Sequence, residues 1–188
     1  MFVPRAPNRT PWWESVIDGY VQVETPLPQT DADGVVLVTR CGLSGDTVYH
    51  REIHFEPVRY SPADLDTIAV RAARGQPGGM VPYRPGAPAP PDWEATVPTL
   101  RAAMKFPEFK LAVETVRLAQ DESVWLRLSQ SDQTNALWLI LDAEGRPRGR
   151  LEVPANIRIR WSSGDFFWAT VPDEYDVPWV VRYRISVH

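Results

Sequence analysis

The chain has 188 residues, 44% of them hydrophobic, and a formal net charge of -4 at pH 7. That length suits one domain, or one with an appendage, and can bury a core without disulfides or metals. The acidic balance argues against a nucleic-acid surface, a single cysteine (Cys41) excludes an internal disulfide, and no apolar run is long enough to span a membrane.

Residues 1–11 are polar and proline-punctuated and read as an irregular arm. They lack a basic segment followed by a long apolar one, so no signal peptide is expected. Trp12 to Thr25 is strand-like, with Val21 and Val23 alternating with Gln22 and Glu24. A turn ending in Gly34 leads to a short strand, Val35 to Thr39. A second turn over residues 42–46 leads to a longer strand, Thr47 to Val58. Together residues 12–60 form a first β-unit.

Residues 61–108 read as an insertion. Ser61 is a natural N-cap, Pro62 fits the first helical position, and Asp64 lies in the first turn. Leu65, Ile68, Ala69, Ala72 and Ala73 line one face, and Gly75 is placed to end the helix. Residues 76–92 are rich in glycine and proline and read as a surface loop. A short helix over Thr96 to Lys105 is limited by Pro98 and Pro107.

The last eighty residues carry a repeat. Strands are expected over residues 109–120, 122–130, 136–141 and 149–153, with a turn at Asp142–Gly145. The pattern restarts at Ile157. Val116 aligns with Ile159, Trp125 with Trp168, Trp138 with Val181 and Ile140 with Tyr183, all 43 residues apart without a gap. Four strands at this period are the mark of propeller blades. The run ALWLIL (residues 136–141) is apolar on both faces, as a strand between two layers must be. A β-sandwich is the alternative, but its strands keep a wet face and need not repeat. The expected fold is all-β, with about three four-stranded antiparallel propeller-like units and one inserted α-helix. The two repeats span 109–154 and 155–188.

These segments resemble the closing blades of bacterial six-bladed β-propeller proteins. The likeness lies in Asp142 to Gly145, Gly149 to Pro154, Gly164 to Val171 and Asp173 to Ile185. The stretch from His50 to Arg74 is similar to their strand-then-helix insertion. The resemblance covers most of the chain from Trp12 onward and is strong only in the last eighty residues. It implies a family largely uncharacterised and often exported. This chain departs from it in holding about three blades, the last with three strands, and in lacking an export signal. A partial ring leaves sheet edges open, which implies self-association or a longer gene. Arg158, Arg160, Arg182 and Arg184 alternate with apolar residues in the last unit, either as a terminal cap or as a polar seam.

No motif carries a reaction. His50 and His54, with Glu52 between them, share a strand face, but a zinc site needs further ligands, so they read as surface residues. Asp173, Glu174 and Asp176 are a weak calcium candidate without calcium-loop spacing. Trp12, Trp13 and Trp93 are weak candidates for a groove. Serines 123, 129, 131, 162 and 163 sit in no nucleophile motif, and Cys41 has no catalytic neighbours in the sequence. Two lysines against eighteen arginines read as coding bias. The expectation is a non-enzymatic binding or scaffold module without cofactor. One alternative is a calcium-dependent propeller hydrolase of lactonase type. The other is a partial propeller completed by homo-dimerisation, or a fragment of a longer gene.

Overall fold

The computed structural model describes residues 12–16, 19–32, 34–74, 93–131 and 134–185. The expected arm, the proline-rich loop over 76–92 and the helix end at Gly75 lie outside the described residues. The chain forms two compact units, a helical one within residues 59–108 and a β unit built from the chain on either side of it.

The β unit holds three antiparallel sheets, each a run of consecutive strands. The first contains β1 (Trp12–Val16), β2 (Gly19–Glu24), β3 (Val35–Gly42) and β4 (Thr47–His54) in that order. The second contains β5 (Val113–Leu118), β6 (Val124–Leu128), β7 (Asn135–Leu141) and β8 (Pro147–Pro154). The third has three strands, β9 (Arg158–Ser163), β10 (Phe166–Pro172) and β11 (Pro178–Arg184), with β10 in the middle. The all-β class is therefore correct.

Two boundaries differ from expectation. The single strand expected over Trp12 to Thr25 folds back on itself, pairing Val16 with Gly19. Gly19 makes this possible: its φ is +145°, and a Cβ there would sit 2.2 Å from the Cys41 carbonyl oxygen. The insertion holds α1 (Pro62–Arg74) and α2 (Trp93–Ala103), the latter covering most of the short helix expected over Thr96 to Lys105 and starting three residues earlier.

α1 starts as its sequence dictates. The Asp64 N–H donates to Ser61 Oγ at 3.1 Å, and the Ser61 N–H donates back to the Asp64 carboxylate at 2.9 Å. Pro98 lies inside α2, where it forfeits one backbone hydrogen bond. Pairing with α1 offsets that loss, in part through an ion pair between Asp66 and Arg101. The ends of the insertion are tied by the Arg59–Glu108 ion pair and by the Tyr60 N–H donating to the Glu108 carbonyl at 3.2 Å.

Two apolar cores flank the second sheet. Val21, Val23, Val36, Val38 and Tyr49 of the first sheet pack with Val113, Val116, Val124, Leu126, Leu139 and Leu141 of the second. On the opposite face Trp125, Trp138, Ile140 and Val153 pack with Ile159, Phe167 and Ala169 of the third sheet. Alternate residues of β6 and β7 thus enter different cores, as the period of two requires. The doubly apolar run at 136–141 is buried on both sides for this reason.

Strand registers place the repeat in detail. Val116 pairs with Leu126 and Thr115 with Arg127, while 43 residues on Ile159 pairs with Ala169 and Arg158 with Thr170. The third strand does not keep this spacing. Leu126 pairs with Leu139, but Ala169 pairs with Val181, an offset of 42. The alignments of Trp138 with Val181 and Ile140 with Tyr183 are therefore one residue out, because the β10–β11 connection is one residue shorter.

The aligned tryptophans also meet different surroundings. Trp125 is fully buried between sheets, whereas Trp168 is half-buried and packs on Trp161, with ring centroids 4.2 Å apart. Trp125→Ala is expected to lower stability by about 3–5 kcal/mol and Trp168→Ala by about 1 kcal/mol. Urea unfolding of both variants measures this, and equal losses would contradict the packing described.

Candidate functional site

Most of the exposed large apolar side chains among the described residues belong to the third sheet and the turn that leads into β11. Trp161, Tyr175, Val177, Trp179, Val180 and Val181 are all exposed there, Trp179 by 61% and Val180 by 71%. Two causes combine. The first and second sheets have a fourth strand beside the third, at β4 and β8, but no described strand pairs with the outer side of β11. The face of β9–β11 turned away from the second sheet also has no covering layer among the described residues.

That face is basic. Arg158, Arg160, Arg182 and Arg184 alternate with inward-facing residues, and none has a carboxylate partner among the described residues. Arg160 Nε donates to Thr170 Oγ1 at 3.1 Å, and the Arg182 guanidinium lies 4.9 Å from the centre of the Phe166 ring. The inner face is apolar: Tyr183 stacks on Phe167 with centroids 4.9 Å apart.

The acidic turn expected as a weak metal site locks the hairpin that leads into β11. The Asp173 Oδ1 accepts the Tyr175 and Val177 N–H groups, both at 2.9 Å, and Oδ2 accepts the Trp179 indole N–H at 2.9 Å. Asp176 takes a φ of +60° and donates its N–H to the Asp173 carbonyl at 3.1 Å. The β7–β8 turn has the same arrangement. Asp142 Oδ1 accepts the Glu144 and Arg146 N–H groups, its Oδ2 accepts Arg146 Nε at 2.8 Å, and Gly145 takes the positive φ. An aspartate three residues before a glycine or second aspartate between strands is the sequence signal for this turn. The indole N–H of Trp179 and then the Val177 N–H hold the Asp173 carboxyl below its ordinary range.

The remaining candidates are scattered. His50 and His54 share the outer face of β4, but four residues of strand separate them by about 13 Å. His50 Nδ1 meets Thr39 Oγ1 at 2.9 Å, and His54 Nε2 lies 3.5 Å from Glu52. No group of three or more His, Cys, Asp or Glu able to hold a metal is gathered among the described residues. Trp12 and Trp13 occupy β1, opposite Val23 and Gln22, and Trp93 opens α2. Their side chains, and with them the groove expectation, lie outside the described residues.

Ser123 Oγ accepts the Trp125 indole N–H at 3.0 Å and donates to Asp121, while Ser129 Oγ donates to the Leu111 carbonyl at 2.6 Å. Ser162 is buried, and its carbonyl accepts the Gln120 N–H across the sheets at 3.3 Å. Ser131 and Ser163 hold exposed and half-buried positions. Cys41 is buried, its carbonyl bonded by Arg40 Nη1 at 2.8 Å. Among the described residues, no helix is long and apolar enough to cross a membrane. No protein family, curated protein or solved structure matches the chain.

A carboxyl whose folded pKa is depressed contributes stability above its unfolded pKa and loses it as pH falls through the folded value. Asp173 should behave so, starting from an ordinary value of 3.8. The stability gap between the native chain and Asp173→Asn should stay constant from neutral pH down to about 4 and close below it. Paired urea titrations across that range test this, and a gap that widens in acid would contradict the turn's assigned role.

Proposed function

We propose that the chain is a non-enzymatic binding or scaffold module of β-propeller type, and that it works by self-association through the open edge of its third sheet. Each sheet is read as a blade. The reading is supported by the stacking of consecutive meanders on both faces of the second sheet and by the 43-residue offset in two of three strands.

One observation carries it: among the described residues β11 has no strand on its outer side, and it bears exposed Trp179, Val180 and Val181. An edge like this is a template for another strand, and proteins usually blunt or cover it. The occupant that suits it is β11 of a second copy, running antiparallel about a two-fold axis at Val181. Trp179 would then face Tyr183 of the second copy, an aromatic pair, and Arg182 would face Val180. Arg184 would face Pro178. No two arginines would stand directly opposite one another, as cross-strand pairing demands.

The arginines of the two copies would nonetheless share one face, so salt should strengthen association by screening them. An acidic partner at the same surface would instead be released by salt.

Sedimentation equilibrium tests this. The native chain should be dimeric, more so with added salt, and Val180→Asp should be monomeric with unchanged thermal stability, since Val180 supports no core. A native chain that stays monomeric at every concentration and salt level would overturn the proposal.

A further inference from the structure

A cleft of about 480 Å³ lies between the edge strand of the first sheet, β4, and strands β6, β7 and β8 of the second. It arises from what β8 lacks. On the side turned to the first sheet, β8 carries Pro147 and Arg150 in register with Leu141 and Leu139. Neither fills the gap as a large apolar residue would. Core residues therefore form the floor of the cleft: Val36, Leu126 and Leu139, with half-buried Ile53, Phe55 and Leu128.

Two cations at this cleft have no carboxylate partner among the described residues. Arg51 Nη1 and Nη2 donate to the His50 and Glu144 carbonyls at 3.1 and 3.0 Å, and it pairs with no carboxylate among the described residues. Arg150 leaves β8 on the side of Leu139 and has no hydrogen bond or ion pair among the described residues. Arg148 differs, since Asp165 at 2.7 Å and Asp121 at 3.8 Å neutralise it. Glu52, the single acid at the rim, lies beside His54.

We propose that this cleft binds a small anionic amphiphile, with its acid group on Arg51 and Arg150 and its apolar body on the leucine floor. The volume falls within the range usual for small-molecule sites, about 300–1,000 Å³. Guanidinium groups suit a carboxylate, sulfonate or phosphate head because they donate in a planar fork. The apolar floor requires a body that water expels, which separates this ligand from a simple inorganic anion. The site is independent of the β11 edge.

Titration calorimetry with decanoate tests the assignment, using acetate and decanol as head-only and body-only controls. Decanoate should bind saturably with one site per chain, at least tenfold tighter than either control. Arg150→Glu should weaken it at least tenfold while leaving the melting temperature unchanged, because Arg150 is exposed and unpartnered. Leu128→Trp, which fills the floor, should abolish binding. Repeating the titration in the Val180→Asp background should change nothing, so a failure of self-association would leave this result intact. Absence of saturable decanoate binding would overturn the proposal. So would equal binding of decanoate and decanol, or an affinity that Arg150→Glu leaves unmoved.

Discussion

The β unit depends on a sheet buried on both faces. β6 and β7 send Val124, Leu126, Leu139 and Leu141 into one core and Trp125, Trp138 and Ile140 into the other. A strand in this position has no tolerance for a one-residue slip, which would exchange its two core sets. Large side chains are therefore needed on both sides, and the indole of Trp125 needs a polar partner, which Ser123 provides. A short polar network extends from there to the third sheet. Asp121 accepts the Ser123 hydroxyl and the Gly164 N–H, at 2.7 and 3.0 Å. The sheets are thus joined by apolar area in the middle and by directed hydrogen bonds at one end.

Each outer sheet packs one face on the second sheet, and the described strands at their ends differ in kind. The first sheet closes with β4, whose outward side is polar, with His50 and Glu52 exposed. The third sheet stops at β11 with apolar and cationic side chains interleaved. A polar edge strand resists pairing, and an apolar one invites it. This asymmetry places the proposed partner at the third sheet rather than the first.

Much of this was legible in the sequence because it follows from period and composition. The apolar run at 136–141 announced a strand between two layers. The alternation of Arg158, Arg160, Arg182 and Arg184 allowed either a terminal cap or a polar seam, and the sequence did not choose between them. The capping residues Ser61 and Asp64 fixed the start of α1. Other features depend on contacts that no local pattern contains. The hairpin at Gly19 carries an Asp-Gly signal, but the strand-like residues on both sides masked it. The slip in β11 follows from a turn one residue shorter, which a gap-free alignment cannot express. α2 tolerates Pro98 because α1 packs beside it. The cleft beside β8 was illegible, since it results from side chains that are missing at one end of an interface between distant segments.

Amide hydrogen exchange tests the central claim most directly, because protection follows the burial of each strand. The account predicts the slowest exchange in β6 and β7, at any chain concentration. The β11 amides that point away from β10 should exchange fast when dilute and become protected as concentration rises. Slower exchange in the outer sheets than in β6 and β7 would contradict the doubly buried sheet as the foundation of the fold. Concentration-independent exchange in β11 would contradict its role as the associating edge.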